Sequence, residues 1–157
     1  MSKTLLIIAH TPSPNTTALA KAGLDACLGY DGYDYGEVKT RCLSPFDITS
    51  PDLLAADALI IGTTENIGYM AGATKDMFDR CYNDWLDQSD AKPVAIYIRA
   101  GSDGTATKRA LTSICSGLKW RLVAEPLILH GDWNKAFCDQ VSDLCLGVAA
   151  GLDAGIF

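Results

Sequence analysis

Short apolar runs, each followed by a stretch with helical spacing, constrain this chain more than any other feature. Thr4–His10 (TLLIIAH) reads as a strand and runs into a helical pattern over about residues 16–28, carried by Ala18, Leu19, Ala20, Ala22 and Leu24. A Gly-, Tyr- and Asp-rich connector follows at Gly29–Gly36, and a second strand is predicted over about 37–43. Ser50-Pro51 reads as a helix start, Ser as the cap and Pro in the first helical position; a short helix to Ala56 then leads to a third strand, Ala58–Gly62. The loop Thr63–Gly72 precedes a helix over about 73–87 with Met77, Phe78, Cys81, Tyr82 and Trp85 on its apolar face. Pro93–Ile98 is a fourth strand. The loop Arg99–Gly104, with Ser102 or Asp103 as cap, opens a helix to Leu118 on Ala106, Ala110, Leu111, Ile114 and Cys115. A fifth strand spans roughly Leu122–His130, and a last helix starts near Asn134 and buries Phe137, Val141, Leu144, Val148 and Leu152.

Five strands alternating with helices imply an α/β fold, a parallel sheet with helices on both faces. Right-handed crossovers leave few topologies, and for five strands the doubly wound order 2-1-3-4-5 is expected. That order places a ligand crevice outside the carboxyl ends of strands one, three and four. The 157 residues suit one domain, 1–157, with one sizeable core. A net charge of −6 and the lack of a basic stripe argue against nucleic acid as a partner. The apolar runs fall far short of a bilayer-spanning helix. The N-terminal run is too brief for a signal-peptide core, so a cytoplasmic location is expected. Cysteines 27, 42, 81, 115, 138 and 145 are scattered among apolar neighbours without a Cys-x-x-C pair, and read as reduced thiols. With two histidines, neither near a cysteine pair, no metal site is expected.

The three loops that this order brings together are the chemically richest in the chain. Thr11-Pro-Ser-Pro-Asn-Thr-Thr17 is a hydroxyl-rich turn into a helix N-terminus, where free N–H groups and the helix dipole favour an anion. It contains no Lys or Arg, so a phosphate there rests on amides and hydroxyls; a well-capped βα turn is the other reading. Thr63–Gly72 is long for an α/β connection, and such loops are usually functional. Its Gly68 and Gly72 allow close approach to a flat ligand, and Tyr69 can stack on one; alternatively Tyr69 and Met70 plug the core. Ala100-Gly-Ser-Asp-Gly104 offers free amides for the opposite edge of the same ligand, or is an ordinary glycine-rich turn. His10 and His130 both close apolar strands at this edge. His10 reads equally as a contact for a bound anion and as the point where its strand turns polar. His130 reads first as the point where the strand turns polar, and otherwise, with Asp132 and Trp133, as a border of the site or of a homodimer contact.

Cys115 and Arg121 have the Cys-x5-Arg spacing of cysteine phosphatases, but Cys115 sits late on an apolar helix face rather than in a loop of inward-facing amides. Neither a Gly-x-Ser-x-Gly elbow nor a Gly-x-x-x-x-Gly-Lys-Ser/Thr loop is present.

Thr64–Arg80 (TENIGYMAGATKDMFDR) resembles the second flavin loop and following helix of flavodoxin-like FMN proteins. It is most similar to the NAD(P)H-dependent FMN and quinone reductase branch, in which Gly-x-Met-x-Gly and then Lys, Phe, Asp and Arg recur. Ser13-Pro14-Asn15-Thr16 resembles the phosphate loop of the same superfamily, and the order of elements agrees along essentially the whole chain. The resemblance implies non-covalent FMN. Its phosphate would sit on Thr11, Ser13, Asn15, Thr16 and Thr17, with His10 beside them. Its ring would lie between Thr64, Glu65, Asn66, Ile67, Gly68, Tyr69 and Met70 on one side and Ala100, Gly101, Ser102, Asp103 and Gly104 on the other. It also implies NAD(P)H as reductant and a quinone, another small acceptor or a redox protein as the electron's destination. No side chain is needed as acid or base, because the redox chemistry belongs to the cofactor. Three departures stand out: Pro14 replaces the Gly usual in flavodoxin phosphate loops, the third loop has no aromatic, and the chain is less acidic than most flavodoxins. The last two disfavour an electron carrier, which relies on surface charge for docking. A small oxidoreductase is the preferred expectation, a flavodoxin-type carrier the second, and a flavin-free binding module on the same fold the third.

Overall fold

The computed structural model describes residues 2–28 and 35–157. In chain order it contains β1 (Lys3–Ala9), α1 (Pro14–Leu28), β2 (Val38–Leu43), α2 (Ser50–Leu54), β3 (Ala58–Asn66), β4 (Tyr69–Met70), α3 (Gly72–Trp85), β5 (Pro93–Ala100), α4 (Thr105–Gly117), β6 (Arg121–Leu122), β7 (Leu127–His130) and α5 (Ala136–Asp153), with a 3-10 turn at Pro45–Asp47. The sheet order is β2-β1-β3-β5-β6, with β7 also on β5, and those pairings are parallel. This is the doubly wound order expected from the alternation, although the sheet holds seven strands rather than five.

Both extra strands have local causes. β3 does not stop at Gly62 but runs to Asn66, and the residues expected as a loop fold back as an antiparallel arm in which Asn66 faces Tyr69 and Glu65 faces Met70. The fifth strand is split. Leu122 faces Val94 and Leu127 faces Tyr97, so the last strand has two residues more than β5 can pair. The excess lies around Pro126, which has no N–H for the ladder.

Because the sheet is covered on both faces, its strands are apolar on both. Leu6, Ile8, Leu59, Ile61, Ile96 and Ile98 pack toward α2, α3 and α4, while Leu5, Ile7, Ile60, Ala95 and Tyr97 pack toward α1 and α5. Phe78, Trp85 and Trp120 meet with ring centroids 5.9–6.1 Å apart. Their buried polar atoms are satisfied: Trp120 Nε1 donates to Ser89 Oγ at 2.8 Å, Ser89 Oγ donates to the Trp85 carbonyl at 2.8 Å, and Trp85 Nε1 donates to the Ser50 carbonyl at 3.2 Å. The helix faces agree with the spacing, with α4 as an exception: Thr107 is buried and Ala106 is exposed. Two helix starts also differ. Thr49, not Ser50, precedes α2, and its N–H and hydroxyl both donate to Asp52. Gly104, not Ser102 or Asp103, is the cap residue of α4; Asp103 accepts from the Thr105 N–H at 3.0 Å. Of the connector expected at 29–36, residues 29–34 lie outside the described residues. No helix among the described residues is long and apolar enough to cross a membrane.

Candidate functional site

The carboxyl ends of β1, β3 and β5 lie side by side, so the segments that follow them converge on one edge of the sheet. The first of these is Thr11–Thr17. Pro14 is the first residue of α1, where its missing N–H costs nothing. Ser13 and Thr16 cap the helix reciprocally. The Thr16 N–H donates to Ser13 Oγ at 3.2 Å, and the Ser13 N–H donates to Thr16 Oγ1 at 3.0 Å. Thr16 Oγ1 also donates to the Ser13 carbonyl at 3.0 Å and lies 2.9 Å from Ser13 Oγ. Since the Thr16 proton goes to that carbonyl, the Ser13 hydroxyl proton is the one that bridges the two oxygens and the one that can turn outward.

This network divides the loop. Thr16 is only 4% exposed and holds the turn together. Pro12 and Pro14 have no N–H to offer. Thr11, Asn15 and Thr17 are exposed, and their side chains have no hydrogen-bond partner among the described residues. The outward donor set is therefore three polar side chains, the Thr11 and Asn15 amides, and the Ser13 hydroxyl. That chemistry fits a phosphate at a helix N-terminus, held without a cationic side chain.

The second segment is the β3–β4 hairpin. Its two turn residues, Ile67 and Gly68, both have positive φ, +52° and +72°. A two-residue hairpin turn of this hand matches the twist of the strands, and Gly suits it; a β-branched Ile does not. Ile67 is fully exposed and Tyr69 is 40% exposed, whereas Met70 is buried in the same core cluster as Met77. Below the tip, Thr63 Oγ1 and Thr74 Oγ1 are 2.8 Å apart, and Thr64 Oγ1 donates to Asn66 Oδ1 at 2.9 Å, tying the arm to α3 and to itself.

The third segment is Ala100–Gly104. Ala100 is buried, and its carbonyl accepts from the Gly131 N–H at 3.0 Å and from Arg99 Nη1 at 2.9 Å. Gly101, Ser102 and Asp103 are exposed. The space beside Gly101, as beside Gly68, is open: a Cβ on either would meet nothing within 4 Å. The two walls are joined by Glu65, whose Oε1 accepts from the Ser102 N–H and Oε2 from the Gly104 N–H, both at 2.9 Å. The amides expected near the edge of a flat ligand thus have a carboxylate on them.

Two aromatic groups flank this edge. His10 packs edge-on against Phe46, with centroids 6.2 Å apart, and partial burial holds its imidazole below the ordinary pKa. Phe46 is 65% exposed and belongs to the turn after β2, which has no flavin-loop signal. On the other flank Arg99 lies 5.1 Å over the Phe137 ring and donates to the Leu129 carbonyl at 3.0 Å, while Trp133 meets Phe137 edge-on. His130 is exposed. Far from this edge, Cys115 is buried and its thiol is pushed up to about 12, opposite to the activated thiolate a phosphatase needs.

The structure therefore gathers His10, Thr11, Ser13, Asn15, Thr17, Glu65, Gly68, Tyr69 and Gly101–Gly104 around one edge. The side chains of Thr16, Met70 and Ala100 point inward. Sequence reading passed over two features here, Phe46 and the Glu65 clamp. A single Phe after Ser44-Pro45 carries no pattern, and the partners of Glu65 are 37 and 39 residues distant in the chain.

No protein-family model and no curated protein matches this sequence. Solved structures do match. A flavodoxin from the domain Archaea superposes with a TM-score of 0.75 at 14% identity, over 94% of this chain and 96% of that one. An oxidoreductase from Corynebacterium diphtheriae gives 0.65 at 17% identity, over 98% and 96%. A flavodoxin, WrbA-like protein from Agrobacterium tumefaciens gives 0.67 at 16% identity, over 96% of each. At these identities the likeness is one of fold, and the fold is flavodoxin-like.

Proposed function

Starting from a flavodoxin-like fold, we propose that this protein binds FMN non-covalently at the β1–β3–β5 edge and acts as a small oxidoreductase. In this reading NAD(P)H delivers reducing equivalents to a quinone or similar acceptor. The observation that carries the proposal is the division of the first loop. Ser13 and Thr16 build the turn, and Thr11, Asn15 and Thr17 are left exposed at the start of α1, their side chains unbonded among the described residues. Those residues hold the phosphate. Tyr69, on the hairpin arm, gives one face for the ring, and the open space beside Gly68 and Gly101 admits it. FMN, once bound, supplies the hydride and electron transfer. The chain's own residues bind and orient it, exclude water from its apolar side, and set the polarity along its edge.

A carrier that exchanges electrons with a protein partner is the second reading, because solved structures of this fold include flavodoxins as well as an oxidoreductase. The net charge of −6 favours the enzyme over it. A titration of FMN followed by fluorescence quenching tests the shared part, and saturable one-to-one quenching is expected. Bleaching of the bound flavin by NADH or NADPH alone is then expected of the enzyme, and bleaching only through a separate reductase would favour the carrier. If FMN fails to bind the folded protein, the third possibility, a flavin-free binding module, takes the lead.

A further inference from the structure

Each backbone amide carries one proton, so an amide donated to one acceptor is withheld from another. The amides of Ser102 and Gly104 both point at one carboxylate, that of Glu65, at 2.9 Å each. They sit where α4 begins, so the helix dipole reinforces the hold on a negative group. They also lie on the wall that faces the open space beside Gly101, where a flat ligand's polar edge would come.

We propose that Glu65 is an internal stand-in for the ligand. Its carboxylate takes the two amides that the flavin's carbonyl edge needs, and flavin enters by displacing it. The inference rests on the FMN reading above.

Three observations favour displacement over a purely structural clamp. The loop has other anchors: the Gly131 N–H donates to the Ala100 carbonyl at 3.0 Å, and the Thr105 N–H donates to Asp103 Oδ1 at 3.0 Å. Gly101, Ser102 and Asp103 are exposed, and the buried Gly104 is already packed against Ile128 and Ala100, so its placement does not rest on the clamp alone. Glu65 is only partly buried and stands just before the hairpin turn, so its side chain can swing into water without leaving a desolvated charge. The exchange replaces a charged acceptor by a neutral carbonyl, which is the weaker partner for an amide. Glu65 therefore lowers the affinity of the crevice and selects for ligands with two acceptors at matching spacing.

The test compares wild type, E65Q and E65A by FMN fluorescence quenching and, in flavin-free protein, by amide hydrogen exchange at Ser102 and Gly104. Faster exchange at both amides is expected in E65A. Removing a charge-assisted competitor is expected to make E65A bind FMN about tenfold tighter, with E65Q between it and wild type because the amide side chain keeps one acceptor. Equal or weaker binding by E65A overturns displacement and leaves the FMN reading intact. Equal tightening in E65Q and E65A points to charge repulsion alone and also overturns it. Unchanged exchange overturns the clamp itself. If neither folded wild type nor E65A binds FMN, the flavin reading falls and displacement falls with it.

Discussion

Ser13 and Thr16 show how far one residue's role depends on where its hydroxyl points. Both are hydroxyl residues of a phosphate-type loop, yet Thr16 is buried with its oxygen bonded three times over, and the Thr17 hydroxyl beside it is exposed, with no partner among the described residues. Thr16→Val removes the acceptor of the Ser13 N–H and the donor to the Ser13 carbonyl. It is expected to destabilise the fold by about 1–3 kcal/mol in urea denaturation. A bulky acid at Thr16 breaks the loop itself, so the discriminating change is next to it. Thr17→Glu adds a carboxylate in the first turn of α1, which the helix dipole tolerates, and is expected to leave the melting temperature unchanged. By like-charge repulsion it should weaken FMN binding by at least about tenfold. Retained affinity would remove the phosphate from this turn. His10 provides a pH signature. Burial depresses its folded pKa below the unfolded 6.5, so its contribution is present above 6.5 and is lost as pH falls through the folded value. Stability should therefore drop with acidification below about 6.5, and His10→Gln should flatten that part of the profile. A bound phosphate would reverse the local field and raise the His10 pKa, which an NMR titration with and without FMN would register.

At the scale of elements, the β3–β4 hairpin was the least expected piece. The stretch Thr63–Gly72 looks like a loop because Gly68, Gly72 and Asn66 interrupt any apolar run. It pairs because β3 continues past the sheet and needs only a two-residue turn to return. That turn places Ile67 at φ +52° with its side chain in solvent, so Ile67 gains no burial to offset the strain. Ile67→Asn gives the Asn-Gly pair that such a turn prefers. It is expected to stabilise the protein by about 1 kcal/mol, a rise of about 2–4 °C in Tm by calorimetry. No gain would mean that the tip is not held in this turn. The split of the last strand is a similar case. Pro126 lacks the N–H that a ladder needs, yet the single strand expected over Leu122–His130 runs through it, and the two-residue excess depends on the length of its partner β5.

For the whole molecule, the two-sided core controls the cysteines. Burial raises the thiols of Cys27 to about 11 and Cys115 to about 12, and pushes Cys145 up as well. Native protein is expected to leave these three unreacted with a thiol-disulfide reagent at neutral pH, and urea-unfolded protein to release all six. Fast labelling of Cys115 in the native state would revive a thiolate role for it. The same core decides where the candidate site lies. Leu5–Ala9, Ala58–Ile61 and Pro93–Ile98 are buried on both faces, so the only place for exposed polar backbone on these strands is beyond their ends.

The sequence by itself determined the alternation of strands and helices, the doubly wound order and the edge at which three polar segments meet. Those follow from short-range periodicity and the handedness of crossovers, which need no knowledge of distant contacts. Only the tertiary structure decided which loop hydroxyls face outward, that the second loop is a hairpin, and that Glu65 lies on the amides of Ser102 and Gly104. Each of these is a hydrogen-bond choice among several chemically equivalent partners. For Glu65 the choice is made by the packed sheet, which brings atoms 37 and 39 residues apart within 3 Å; for Ser13 and Thr16 it is a local cap that several hydroxyls of the loop could have made.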